Sequence, residues 1–553
     1  MVSRPAHEPP TGPAHEPPTG PAHEPPTVPA DGPPARHTGT IIAGCLAVCL
    51  AQIGLVLPAA INGVIQRSLQ TSGAELTWIS DAFLVPAAVL ALTFGVLGDL
   101  YGRKKLLVGG ALLAAVGYAV SATSDSAAQL ITGQALSGIG AAALFPASLA
   151  VITASTPTPA ARARALASWT TALSLGALIA PLLSGAVVEH TSFRWAFAAT
   201  GVLALAAAAA AWLLTGESSA PEGRSLDWPG QITIGLALLA LLYGIIQGPS
   251  DGWGSAPVVL SLVAAAVLLA AFIRVENSSA SPMLRLELFR IPAFAASAAM
   301  AVIGMFGFLG GAYDLSIRLG VIQHQSPLQS AIPFLVIQGI TPFIWPLLVR
   351  LLHRVGPGPM LVTGFMSLAV AQLWLRQVPI HETGLVSLLG PLVLNGVGFG
   401  LVVAAITAAA VNVVPPSLTG MASATTSLVR DLGQTLGPAI VGAVALGLAT
   451  GRLTDGLAGA GLTPAEHGTA NAVLEAGGPI ALHTAELGPL SAKLAPFTER
   501  ALADGYNAGL VLTAVACVVA AAIAAVFLGV RTHGGDADPK PEARTAEPEG
   551  VRP

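Results

Sequence analysis

Charge is scarce in this chain. Only 10% of its 553 residues are Asp, Glu, Lys or Arg, where a soluble domain carries roughly 25%. With 53% hydrophobic residues and a mean hydropathy of +0.72, composition excludes a water-soluble globular class and implies a polytopic membrane protein. Aromatic residues are few, at 5%, while glycine reaches 61. Small residues in that excess suit helices packed closely within a bilayer. The three cysteines, Cys45, Cys49 and Cys517, all fall in apolar runs, which excludes a disulfide framework. Net charge is −4 with no basic patch, so nucleic acid is not an expected partner. No GxxxxGK(S/T) phosphate loop occurs, which excludes an ATP-driven pump. His381-Glu382 lacks the second histidine of HExxH, and there is no GxSxG turn. Zinc and serine enzyme chemistry therefore lack their residues, and no enzyme activity, metal site or cofactor is expected.

What is present is a series of apolar runs. A span needs about 20 apolar residues. The chain offers about fourteen, at 40–61, 76–97, 106–123, 128–153, 163–188, 195–214, 230–248, 256–274, 293–318, 328–350, 360–376, 384–413, 420–449 and 508–530. An even count places both termini on one side. Short loops on that side carry Arg103, Lys104, Lys105, Arg162, Arg164, Arg224, Arg274, Arg285, Arg290, Arg350 and Arg354; the other side has Arg67, Arg194, Arg318 and Arg376. Short basic loops stay in the cytoplasm, so both termini are expected there. Alanine richness suggests a bacterial source, hence a bacterial inner or plasma membrane. No cleavable signal peptide is expected. Residues 1–38 are a Pro-rich tail with three copies of PAHEPPT(G/V), a composition that cannot build a packed core. The polar tail 531–553 is likewise expected to be disordered.

The most informative segment, GVLGDLYGRKK, runs from Gly95 to Lys105. Asp99 ends an apolar helix, Gly102 turns the chain, and Arg103, Lys104 and Lys105 open the next helix. Asp99 and Arg103 lie at i,i+4, on one face. A weaker echo, HRVGPGPMLVTG (His353–Gly364), aligns without gaps on DLYGRKKLLVGG (Asp99–Gly110). GALIAPLLSG (Gly176–Gly185) matches GQTLGPAIVG (Gly433–Gly442) in the same way. Two motifs recurring in one order imply a duplicated bundle, as in many secondary transporters. Both offsets are eight spans. The expected fold is therefore all-α, with two pseudo-symmetric six-helix halves, 39–215 and 281–530, and two inserted helices in 216–280. A long outer loop, 450–507, separates the last two spans. Thr463 and Glu466 within it have the spacing of a capping box. A loop of this length is either a lid or binding element or a tolerated surface insertion. Gly176, Ala180 and Ser184 repeat every four positions, permitting close helix contact, and Pro181 permits a bend. That helix is a candidate sliding surface between the halves.

Acids inside spans are costly and are functional candidates by default. A carboxyl in a low-dielectric bundle can hold a proton in one state and release it in another. Three stand out as proton-coupling candidates. Asp81 lies one turn inside its span, flanked by Trp78 and Phe83, which would offer cation–π contact to a cationic drug; alternatively, it caps a helix start. Asp314 has Arg318 at i+4, either a proton-sensitive switch or a structural pair near the membrane edge. Asp431 follows Arg430, and adjacent residues point about 100° apart, so the two are not expected to pair. Gln52, Asn395, Asn412 and Gln434 either line a cavity or bond a neighbouring helix. With Trp78, Phe83, Gln134 and Arg430, Gln52 and Asn395 make up the candidate substrate cavity.

Together these motifs resemble the major facilitator superfamily, and within it the 14-span drug:proton antiporter branch, over about 40–530. GVLGDLYGRKK resembles the loop 2–3 signature and GALIAPLLSG the antiporter signature of span 5. LVRDLGQTLGPAI (Leu428–Ile440) resembles span 13 of the branch, and WISDAFLVPA (Trp78–Ala87) the start of its span 2. The resemblance implies a gating loop of Gly95, Asp99, Gly102, Arg103 and Lys104, with Asp99 docking near Thr419 and Gly420. It implies an antiporter helix of Gly176, Ala180, Pro181 and Gly185. The sequence also departs from the pattern. Gln134 stands where span 4 usually carries arginine, and Cys49 where span 1 usually carries an acid; Ala180 and Ser184 replace glycines. The implied function is secondary active export of hydrophobic drugs or antibiotics, with or without a cationic group, in exchange for protons. The implied partners of this monomer are the small-molecule substrate, protons and the lipid bilayer. The alternative is a proton-coupled transporter of an endogenous metabolite or lipid, working as an importer or facilitator.

Overall fold

The computed structural model describes residues 34–156, 158–219, 226–279, 282, 284–414, 419–485 and 487–528. The Pro-rich repeats and the C-terminal tail lie outside the described residues. Helices fill nearly all of the remainder: α1 (Pro34–Ala60), α2 (Asn62–Leu69), α3 (Gly73–Tyr101), α4 (Arg103–Ala122), α5 (Ala127–Ser155), α6 (Pro159–Val188), α7 (Phe193–Leu214), α8 (Trp228–Asp251), α9 (Ala256–Ser278), α10 (Pro292–Ile317), α11 (Pro327–Val355), α12 (Pro357–Gln377), α13 (Leu385–Val411), α14 (Thr419–Ala458), α15 (Pro464–Thr484) and α16 (Pro489–Leu528). A 3-10 turn, Leu286–Arg290, precedes α10, and a π-helical turn, Arg318–Ile322, extends it. Among the described residues fourteen helices are long and apolar enough to cross a membrane, all except α2 and α15.

Each apolar run has its helix, and the connection at 450–507 is largely helical. α14 continues to Ala458, α15 fills Pro464–Thr484 and α16 begins at Pro489. The local cause is the capping box. The Thr463 hydroxyl accepts from the Glu466 N–H (3.3 Å) while the Glu466 carboxylate accepts from the Thr463 N–H (2.8 Å), so the helix start is satisfied without tertiary help. Gly478, at φ 73°, kinks α15. The helix packs on α3, α14, α16 and the π-helical turn, so it covers one end of the bundle, called below the α15 end.

The motif echo extends into local structure. α3 starts with a capping box of Ser72 and Glu75, and α11 with one of Ser326 and Gln329. Both helices have 29 residues. Both stop at a glycine with positive φ, Gly102 at 114° and Gly356 at 76°. The alignment of Asp99 on His353 carries each of these residues onto its counterpart.

Packing follows the same shift of eight spans. In the first six spans α4 packs on α5 and α7, α3 on α5, and α1 on α5, α6 and α7. In the last six, α12 packs on α13 and α16, α11 on α13, and α10 on α13, α14 and α16. Two seams join the sets, α3 on α14 and α6 on α11. Glycines set the helix distances. A Cβ on Gly176 would lie 2.5 Å from the Cys49 carbonyl of α1, and one on Gly433 2.2 Å from the Val302 carbonyl of α10. The inserted α8 lies against both α3 and α14, with α9 leaning on α8. Gln231 fixes it: its amide donates to the Val89 carbonyl (2.7 Å) and its oxygen accepts from Thr93.

Candidate functional site at the seam between the two sets of spans

The α15 end of the seam is closed. Gly63 of α2 meets Gly320 of the π-helical turn backbone to backbone; a Cβ there would lie 2.2 Å from the Gly320 carbonyl. Arg67 donates to that carbonyl (3.0 Å) and Asn62 to the Ser316 hydroxyl (3.2 Å), which itself donates to the Ala59 carbonyl. Gln66 donates to Thr484 of α15 (2.6 Å). On the other seam, the Glu189 carboxylate accepts from the Leu328 N–H (3.1 Å). One turn further in, the Thr77 hydroxyl of α3 and the Tyr313 hydroxyl of α10 share a hydrogen bond of 2.8 Å.

Two acids lie at this level. Asp81, one turn beyond Thr77 on the same face of α3, is fully buried, and among the described residues neither carboxyl oxygen has a hydrogen-bond partner. Asp314 is 3% exposed with one oxygen unpartnered. Gly509 of α16 leaves it room, since a Cβ there would sit 2.6 Å from the carboxylate. Asp314 lines a cavity of about 20 Å³ with Tyr313, Gly442, Ile480, Leu502 and Tyr506. Both carboxyls act electrostatically on the Tyr313 phenol.

The expected Asp314–Arg318 ion pair is not formed among the described residues. The backbone register between the two is intact, with the Arg318 N–H on the Asp314 carbonyl; it is the guanidinium that turns away from the carboxylate. Arg318 is fully buried and donates instead to the carbonyls of Val378 (3.2 Å) and Pro379 (2.7 Å), with its guanidinium 5.4 Å from the Tyr506 ring. The expectation for Asp431 also fails. The flexible Arg430 side chain curls back across the 100° between neighbours, bringing Nε within 3.4 Å of the Asp431 carboxylate, and Gln434 donates to the same oxygen (3.1 Å).

The cavity candidates scatter. Phe83 is buried against Gly54 of α1 and the Gly138 backbone of α5, so its ring offers no open face to a cation. Trp78 faces an apolar cavity of about 500 Å³ between α3, α5 and α8, with Val89, Ile131, Trp228 and Leu239. Gln134 does not face a cavity: it is fully buried and donates to Ser121 of α4 (3.1 Å). Gln52 is half-buried beside Gly176. Asn395 is buried on α13 with its oxygen unpartnered.

At the opposite end, the turn after α3 forms as its spacing demands. Arg103 donates to Asp99 from Nε (3.0 Å) and Nη2 (2.8 Å). The chain after α7 clamps the turn. Glu217 accepts from the Lys104 N–H (3.1 Å), Ser218 from the Arg103 N–H (2.9 Å), and Lys104 lies 5.1 Å over the Trp212 ring. Gly102 is required here, because its φ is 114° and a Cβ would meet the Glu217 carboxyl at 2.7 Å. Gly95 passes Pro146 of α5. The side chains at Thr419 and Gly420 lie outside the described residues, as does that of Ser184. Ala180 and Pro181 are buried in α6, and Gly185 meets Leu328 of α11, where a Cβ would lie 3.0 Å from its Cα.

Tyr313, Thr77 and Tyr506 were not singled out in the sequence. A signal existed for two of them: Tyr313 precedes Asp314, and Thr77 stands four residues before Asp81.

A model of the Major Facilitator Superfamily matches residues 42–438. The chain belongs to this superfamily. This superfamily member is 27% identical over 404 residues to the tetracenomycin C resistance and export protein of Streptomyces glaucescens, covering 73% of the chain and 75% of the relative. It is 30% identical over 380 residues to multidrug resistance protein Stp of Mycobacterium tuberculosis, covering 69% and 70%. It is 27% identical over 468 residues to the multidrug efflux pump LfrA of Mycolicibacterium smegmatis, covering 84% and 90%. Among solved structures, the bacterial homolog of the human lysosomal transporter Spinster, inward-facing and unoccupied, aligns with a TM-score of 0.64 at 17% identity, covering 91% of this chain and 100% of the other. At that identity the likeness concerns the fold alone.

Proposed function

We propose that this major facilitator transporter exports hydrophobic drugs or antibiotics, with or without a cationic group, in exchange for protons. The observation that carries this reading is that relatives named as resistance or efflux proteins align over 69% to 84% of the chain. Two six-helix halves, 39–215 and 281–530, rock about the seams, with 216–280 inserted between them. The repeated capping boxes, glycine contacts and packing pairs support this division. Both termini are cytoplasmic in a bacterial plasma membrane and the unit is a monomer, which puts the α15 end outside and the Asp99 turn inside. The ion pair of Asp99 and Arg103 serves the inner gate. Protons bind at membrane carboxyls, with Asp81 first and Asp314 and Asp431 behind it. Cys49 and Gln134 leave the usual polar positions of spans 1 and 4 without a charge.

Uptake of a fluorescent hydrophobic drug into everted vesicles tests the reading. Accumulation should require a proton gradient and collapse with an uncoupler. Equal uptake with and without the gradient would sink proton coupling, and no uptake of any drug would sink export.

A further inference from the structure

The apolar cavity of about 500 Å³ between α3, α5 and α8 has no part in the transport reading above. It is a slot. α3 walls it from Trp78 to Leu90, α5 with Ala135 and Ile139, and α8 with Ile232 and Leu236. At a rise of 1.5 Å per residue, Trp78 to Leu90 spans about 18 Å. One leaflet offers roughly 15 Å of hydrocarbon, half of a core about 30 Å thick. Gln231 bonds Thr93, just past Leu90, so α8 starts at the Leu90 end, and Trp228 stands at the opposite end of the slot from Trp78.

The chemistry of the walls narrows the occupant. Their polar side-chain groups are Gln231 and the two indoles, and no charged residue lines them. The Gln231 amide is already engaged by the Val89 carbonyl and Thr93. A polar or charged occupant would lose its hydration there without a matching partner, whereas a hydrocarbon loses nothing. The mouth gives the source. α8 is long and apolar enough to cross a membrane, and its Trp228, Ile232, Leu236 and Leu239 are about half exposed. Apolar surface exposed on a span meets lipid, so the slot continues the lipid-facing surface of α8. Left empty, it would forfeit dispersion contacts along its whole length.

We propose that this slot is a binding site for one phospholipid acyl chain, which wedges between the inserted α8 and the α3–α5 wall. The chain completes the packing of α8 on the first set of spans. The amphipathic indoles at the two ends suit the borders of such a site, since tryptophan settles where hydrocarbon meets polar groups.

The test uses the full chain in nanodiscs of phosphatidylethanolamine and phosphatidylglycerol, doped with a phospholipid that carries a diazirine midway along one acyl chain. After irradiation, the labelled residues are mapped by peptide mass spectrometry. Val263 and Val267, exposed on α9, report the ordinary bilayer surface. Val85, which is buried, and Ile139 report the slot. Label on the slot pair should exceed label on the α9 pair by about tenfold, the enrichment that a modest gain in dispersion contacts supplies. Ala135→Phe fills the slot with protein and should bring the slot pair down to the α9 level while leaving α9 unchanged. Ile232→Trp, which narrows the mouth from the exposed side, should do the same and serves if Ala135→Phe does not fold. Lipid removal in detergent should lower the Tm of the parent, and lower it less in Ala135→Phe. Equal labelling of slot and α9, or slot labelling that both variants leave intact, overturns the proposal. Loss of slot label on adding an excess of a fluorescent hydrophobic drug also overturns it and gives the slot to the drug. Export stands or falls separately, because the labelling needs no transport.

Discussion

The two seams are built alike and equipped differently. On one, Gly442 of α14 meets Thr77 of α3; on the other, Gly185 of α6 meets Ala331 and Leu328 of α11. The alignment of α3 on α11 carries Thr77 onto Ala331 and Asp81 onto Leu335, so the glycine contacts are equivalent and the chemistry is not. The α3–α14 seam holds a hydroxyl bridge, a buried acid and a covering helix, α8. Among the described residues, the α6–α11 seam has a carboxylate accepting from a backbone N–H at its edge. The glycine contacts thus repeat from one seam to the other, and the polar groups do not. Buried ionisable groups cost stability. Among the described residues, Asp81 is the buried acid placed at a seam, which a proton-dependent step would use and packing alone would not require.

The strongest way to break the comparison is to attack the shared frame. Gly433→Leu and Gly176→Leu each drive a side chain into a carbonyl that cannot retreat. Each should cost more than about 3 kcal/mol and leave little folded protein, seen as loss of the monodisperse peak in detergent chromatography. A folded Gly176→Leu beside an unfolded Gly433→Leu would show that the two halves do not share their packing.

Next comes the difference itself. Asp81→Asn should abolish uphill, proton-driven export, a loss of at least about tenfold on the scale of a coupling energy. Leu335→Asn at the matching site of α11 should change it less than about twofold, within the range of a tolerated substitution. Equal losses in vesicle uptake would mean that position, and not the carboxyl, matters.

The cover over the polar seam can also be loosened. Gln231→Leu removes the partner of the Thr93 hydroxyl and the second bond to the Val89 carbonyl, both on α3, and should cost about 1–3 kcal/mol, read as a drop in Tm. The other seam has no such clamp among the described residues, so a Tm unchanged by Gln231→Leu would remove α8 from the asymmetry.

The smallest effect lies at the α15 end. Burial first, and then the stacked His324 ring at 5.0 Å, hold His483 at about 4, below the ordinary histidine value of 6.5. The unfolded form therefore takes up its proton first on acidification. Stability that is complete above about pH 6.5 is lost as pH falls toward 4. Hydrogen exchange in α15 should quicken over that window, and His483→Phe should flatten the response. Exchange in α15 that is the same at pH 7 and pH 4 would deny His483 this role.

Much of the frame was legible in the linear chain, because a bilayer demands long uninterrupted apolar helices and a capping box is a local object. The fourteen spans, the Asp99–Arg103 pair, the turn at Gly102 and the start of α15 at Thr463 all arise from neighbours in sequence. Within 450–507 the helix start at Thr463 was legible, while the continuation of α14 to Ala458 and the early start of α16 at Pro489 were not. The candidate site was less legible. Arg318 turns from Asp314 to backbone carbonyls at Val378 and Pro379, sixty residues away in sequence, and Arg430 found Asp431 through side-chain flexibility that backbone angles ignore. Phe83 and Gln134 were assigned to a cavity by type and proved to be packing residues, since helix rotation decides which face a span turns inward.

The sequence alone determined the class, the span count, the repeated motifs and the list of costly acids, because each depends on composition or on residues within a turn or two. Tertiary structure decided which acid lies at the seam, that Thr77 meets Tyr313 across more than 200 residues of chain, and that α8 covers one seam only. Those are distances between helices. They are set by where glycine lets two backbones meet, and the order of residues along one helix does not carry them.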